Sequence, residues 1–215
     1  MKSFIWPPEY LLYCMIGFGC LPVAAGVYRF KSIGWQLRLL LLLLTVSAVS
    51  ILLQFLSGRH GRSNVWVSHF YSLIEYSLMI WVYSGWDNNS KRALLMQVSV
   101  IPFALFWIAA KIYLEKLTEP AVYTPTIARA ILGCVSMGYI YYLNSIPKFK
   151  VVDSQRFWTT LATLTLCFGS ITFFALRTQI LWLPTDELWI SISINWGVNI
   201  LANCFYANSF LRTSV

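Results

Sequence analysis

The sequence predicts an all-α fold, a seven-transmembrane-helix bundle, and three observations carry that reading. Of 215 residues, 58% are hydrophobic and only 11% are charged, where a soluble domain carries roughly 25% charged residues. Seven apolar segments, about 10–28, 37–56, 65–86, 93–113, 126–143, 157–183 and 188–211, are long enough to cross about 30 Å of hydrocarbon at about 1.5 Å per residue. The stretches between them, such as GRHGRSN, GWDNNSKR and PTDE, are short, which makes successive helices antiparallel neighbours. Few residues fall outside the segments, so 1–215 reads as a single integral membrane domain.

The opening MKSFIWPPEY has one Lys, and Pro7, Pro8 and Glu9 interrupt any apolar core. It is therefore not a signal peptide, and the first span is expected to be retained. That span holds Pro22, and a proline within a helix removes a backbone bond and kinks it. The second, with the run LRLLLLLLTVSAVSILLQFL, is apolar all round and is expected to meet lipid over much of its surface. The third, VWVSHFYSLIEYSLMIWVYSGW, places Glu75 at its middle and His69 near its start. The fourth holds Pro102. The fifth carries Ala128, Ala130, Gly133, Ser136 and Gly138, small residues that let helices approach closely. The sixth has Arg177 inside it, and the seventh has Asn195, Asn199 and Asn203 at i, i+4 and i+8, on one face. DNNS and TDE supply caps and turns.

The net charge of +8 is scattered through short loops and forms no patch, which excludes nucleic acid as a partner. Its role is to set topology and touch lipid headgroups. With the N-terminus outside, the inner side holds Arg29, Lys31, Arg38, Lys91, Arg92, Lys148, Lys150, Arg156 and Arg212, nine in all. The outer side holds seven: Lys2, Arg59, Arg62, Lys111, Lys116, Arg129 and Arg177. The bias predicts N-outside, C-inside.

Several chemistries are excluded. No Lys follows Lys150 to form a retinal Schiff base in the last span. The only histidines are His60, in a loop, and His69, too few for an intramembrane metal hydrolase or a bis-His haem. GxSxG, HExxH and a PQ dipeptide are absent. Cys14, Cys20, Cys134, Cys167 and Cys204 lie in apolar segments without CxxC spacing and read as small buried hydrophobes. No cofactor or metal is expected, and the chain leans away from being an enzyme.

A carboxylate at the bilayer centre is costly, on the order of 2.5–3.5 kcal/mol on insertion scales for comparable charges, and normally faces the bundle interior with a partner. Under the predicted topology, His69, Arg129, Arg177 and Asn195 all fall in the outer halves of their spans. They converge on one outward-facing cavity, with Glu75 as its floor, Tyr71 a turn above and Asn199 on the wall. The expected ligand-binding set is His69, Tyr71, Glu75, Arg129, Arg177, Asn195 and Asn199. Two guanidiniums would favour an anionic or amphiphilic ligand. Each residue also has a plainer role: the arginines can snorkel to headgroups, His69 and the asparagines can be interhelical glue, and Glu75 can be a structural ion pair.

HFYSLIEYSLMIWVY in the third span and NWGVNILANCFYANSFL in the last, with seven short-looped spans, give the chain its likeness. It resembles small uncharacterised seven-helix inner-membrane proteins of bacteria and the seven-transmembrane sensory modules that precede signalling domains in bacterial receptors. The resemblance implies a receptor-like sensory or regulatory module in the bacterial inner membrane. Membrane lipid and a protein partner, in the membrane or the cytoplasm, are the expected partners. A small proton-linked transporter built on Glu75 and a structural subunit of a membrane complex are the two other classes.

Overall fold

Hydropathy alone makes the described chain helical throughout, because an apolar segment in lipid must satisfy its own backbone. The computed structural model describes residues 9–59, 65–145, 151–175 and 185–212. In order they form α1 (Glu9–Tyr28), α2 (Trp35–Arg59), α3 (Val65–Trp86), α4 (Ser90–Val98), α5 (Val100–Tyr113), α6 (Tyr123–Asn144), a short 3-10 turn (Val151–Asp153), α7 (Gln155–Ala175) and α8 (Thr185–Leu211). Helices α4 and α5 are one apolar segment with a break, so the described residues form seven helices. Four of them are long and apolar enough to cross a membrane: 35–57, 90–113, 123–144 and 155–174. Helix α3 is not among the four, because it carries His69, Glu75 and several serines inward.

The break in the fourth segment has a local cause. Pro102 has no N–H to give to the carbonyl of Val98. One turn earlier the N–H of Ser99 is shared between the carbonyls of Leu95 (3.0 Å) and Met96 (3.1 Å), and its hydroxyl donates to Met96 (2.6 Å). The Ser99 hydroxyl also meets that of Tyr76 on α3 at 3.0 Å, so the break is held against the neighbouring helix. Helix α4 starts on a true cap: Asn89 Oδ1 accepts the N–H groups of Lys91 (3.0 Å) and Arg92 (3.2 Å). Arg177, expected inside the sixth span, lies outside the described residues.

Six helices pack as a closed ring in the order α1, α2, α3, α6, α7, α8, with α8 returning to α1, and α4–α5 lies outside it against α3. Taking the end at which α3 starts as the top, the lower half of the ring is solid. Leu37 and Leu40 of α2, Met79, Ile80 and Tyr83 of α3, Leu132 and Leu143 of α6 and Phe210 of α8 are all almost fully buried there. Tyr83, Trp86 and Tyr139 make a ring cluster with centroids 5.4–6.1 Å apart. Helix α2 is therefore two-faced: Leu42, Val49 and Leu52 point outward, but the other side of its leucine run forms core. On α6, Ala128, Gly133 and Ser136 face inward as the small-residue pattern requires, while Ala130 and Gly138 face outward. At Gly169 an added Cβ would clash with the Val198 side chain, so α7 and α8 pack closely there.

Candidate functional site

The upper half of the ring is not solid. A cavity of about 360 Å³ occupies its axis, walled by all six ring helices. Tyr71, Glu75, Arg129, Asn195 and Asn199 all line it, together with Asn203, so the asparagine face of α8 turns to the axis. Residues with no individual signal in the sequence complete the wall: Ser47, Ser50 and Gln54 of α2, and Trp196 and Tyr206 of α8.

Glu75 and Arg129 sit on facing helices and are 4% and 7% exposed, so both are largely shielded from solvent. Arg129 Nη2 donates to Glu75 Oε1 at 3.4 Å and Oε2 at 3.5 Å. Both contacts are long for a charge-assisted bond, which normally closes to about 2.7–2.9 Å. Nη1 donates to the hydroxyl of Ser170 on α7, which itself donates to the carbonyl of Leu166. The guanidinium stacks on Phe174 at 4.6 Å from the ring centroid. Its Nε–H is buried without an acceptor, and Asn195 Oδ1 is buried without a donor. Tyr71 directs its hydroxyl to Ser47 and Glu75. Neither charge snorkels; the cation that pairs with Glu75 is Arg129, from the fifth span.

His69 is placed elsewhere. It is fully buried one turn above, on the α5–α6 side of α3, in a second charged cluster. Its Nε2 lies 2.9 Å from the carbonyl of Glu119, which can only accept, so Nε2 carries the proton. Nδ1 then accepts from Lys111 Nζ at 2.6 Å, and the ring is neutral. Lys111 also donates to Glu115 Oε2 and, at 3.0 Å, to Thr124 Oγ1. Glu115 Oε1 accepts the N–H groups of Val122 (2.7 Å), Tyr123 and Thr124 (3.1 Å). These are three of the orphan donors that open α6, and the N-cap residue Val122 has no side chain to satisfy them. A carboxylate there also sits at the positive end of the helix dipole. Burial pushes the Glu115 carboxyl up, but Lys111 and the amides of Val122 and Thr124 outweigh it and hold it below the ordinary glutamate range.

Below the cavity, hydroxyl pairs replace charges. Tyr206 meets Thr163 at 3.1 Å and Tyr83 meets Ser136 at 2.7 Å, joining α8 to α7 and α3 to α6. Among the described residues no group of three or more His, Cys, Asp or Glu is placed to hold a metal ion. Glu115 was missed in the sequence, although its i,i+4 spacing from Lys111 at the end of an apolar helix was a usable signal. Ser170 had none, since a lone serine in an apolar helix is ordinary.

No known protein family, curated protein or solved structure matches the chain. The likeness to bacterial inner-membrane proteins and sensory modules therefore rests on the two segments quoted above.

Proposed function

We propose that the protein is a seven-span protein of the bacterial inner membrane, N-outside and C-inside, acting as a receptor-like sensory or regulatory module. Its ligand is an amphiphile held in the ring cavity. The observation that carries the reading is that cavity: about 360 Å³ of space at mid-bundle, beside a buried and loosely joined Glu75–Arg129 pair. Small-molecule sites are concave, largely apolar, and oriented by a few convergent polar groups, and Leu43, Leu44, Leu166 and Phe173 share the wall with the asparagines. Under N-outside topology the cavity faces out. Because Glu75 already neutralises Arg129, the ligand's head is neutral or zwitterionic rather than anionic.

The test is purification in mild detergent followed by native mass spectrometry. A bound small molecule should be released from the wild type and depleted at least tenfold by Asn199→Leu. If nothing co-purifies and Asn199→Trp, which fills the space, leaves the protein's cellular role unchanged, the reading fails and a structural subunit takes its place. Uptake into proteoliposomes that depends on pH and on Glu75 would instead favour the proton-linked carrier.

A further inference from the structure

Outside the ring, a second, shallower hollow of about 280 Å³ runs between α2 and α3 at the level of the cavity. Its walls are apolar: Val46, Val49 and Leu53 of α2, with Trp66, Phe70 and Ile74 of α3. All but Val46 are at least one-third exposed. The aromatic wall is fixed by edge contact between Trp66 and Phe70, centroids 6.4 Å apart, and by Phe70 against Trp107 of α5 at 5.3 Å.

Two residues line both spaces, Ser50 and Tyr71. They are the partition between an apolar groove on the membrane side and a polar cavity on the axis. Tyr71 is suited to that position, because its ring borders the groove while its hydroxyl reaches Ser47 and Glu75 inside. A molecule that matches both sides needs an acyl chain for the first and a hydrogen-bonding head for the second. The head is uncharged: among the described residues the one buried cation lining the cavity is already neutralised by Glu75, and an unpaired ionic head would be desolvated without compensation. Ser47, Ser50, Gln54, Asn195 and Asn199 supply neutral donors and acceptors instead.

We infer that the α2–α3 groove is the acyl-chain subsite of the cavity, and that the ligand is a single-chain lipid with a neutral hydroxyl-bearing head, admitted sideways from the bilayer past Ser50 and Tyr71. The inference rests on the ligand-binding reading above and adds the ligand class and its route.

The experiment uses the full chain in nanodiscs with two glycerol esters. Monooleoylglycerol carrying a photoreactive diazirine in its acyl chain reports the groove. Monobutyrin, whose four-carbon chain is too short to occupy it, reports the cavity through the melting temperature. Labelling should concentrate on 46–53 and 66–74, be competed by unlabelled monooleoylglycerol, and fall at least tenfold in Val49→Trp, which fills the groove. Monobutyrin should stabilise the wild type and Val49→Trp alike and lose its effect in Asn199→Leu. Labelling spread around the bundle perimeter, or unchanged in Val49→Trp, while monobutyrin still acts, overturns the groove inference and leaves the cavity reading standing. If monobutyrin has no effect on any variant and labelling is not competed, both fail.

Discussion

Among the described residues two ion pairs are buried, and they are built to opposite standards. In the upper clamp, Glu115 uses both oxygens fully: three backbone amides on one, Lys111 and Thr124 on the other. Lys111 in turn spends its three protons on Glu115, Thr124 and His69. On the ring axis, Glu75 has two long contacts to one Arg129 nitrogen and the Tyr71 hydroxyl nearby, and Arg129 keeps an unpartnered Nε–H. A saturated buried charge has nothing left to offer a ligand. An under-coordinated one beside open space does, and that is why the cavity pair, not the clamp, is the candidate site.

The largest effect that can break this comparison is removal of the clamp carboxylate. Glu115→Ala strands Lys111 in a buried place and orphans the first turn of α6. Removing one partner of a buried pair costs about 3–5 kcal/mol, and on the order of 10 °C in melting temperature follows for a chain of this size. Glu75→Ala should cost less, because water can enter the cavity to solvate Arg129, and Glu75→Gln less again, since the amide oxygen still accepts from the guanidinium. Thermal melts of the three purified variants in one detergent give the order. Glu75→Ala falling as far as Glu115→Ala would make the axial pair structural.

A second effect separates the clusters by pH. Glu115 has its carboxyl held below the ordinary range, so its contribution is complete above the unfolded value, about 4.3, and is lost as pH falls through the lower folded value. Wild-type melting temperature should therefore drop below about pH 4. The drop should be shallower in Glu115→Gln, which has no such carboxyl to protonate. Parallel curves for the two proteins below pH 4 would mean that the clamp does not set acid stability.

How much of this contrast was legible in sequence depends on range. The helices follow from hydropathy and local punctuation, and Glu75 announced itself because a mid-span carboxylate has so few tolerable surroundings. The asparagine face of α8 was visible from its i, i+4, i+8 spacing, and it does turn to the axis. Partner choice was not legible. Nothing local names Arg129 as the mate of Glu75, because ring order decides it: α3 packs against α6. His69 was grouped with the cavity because it lies in the same half of α3, but it sits only six positions before Glu75 on a different azimuth and turns toward α5. Helix depth can be read from sequence, whereas rotation requires the neighbours.

The smallest effect tests hydration most directly. Tyr71→Phe removes one hydroxyl from the cavity wall, and Thr124→Val removes one from the clamp. An intramolecular hydrogen bond is worth about 0.5–1.5 kcal/mol net, but a buried partner left unsatisfied raises the loss to about 1–3 kcal/mol. Which figure applies depends on whether water can replace the hydroxyl, and a polar space of sufficient volume allows that. In the cavity, water can bridge Ser47 and Glu75 once the Tyr71 hydroxyl is gone, so Tyr71→Phe should cost under about 0.5 kcal/mol. In the clamp, Thr124 is fully buried between Lys111 and Glu115, and its loss leaves both short of a partner, so about 1–3 kcal/mol is expected. Paired denaturation of the two variants measures the difference. A cost for Tyr71→Phe equal to that of Thr124→Val would mean the cavity is dry, and a dry cavity could not present Glu75 and Arg129 to a polar head.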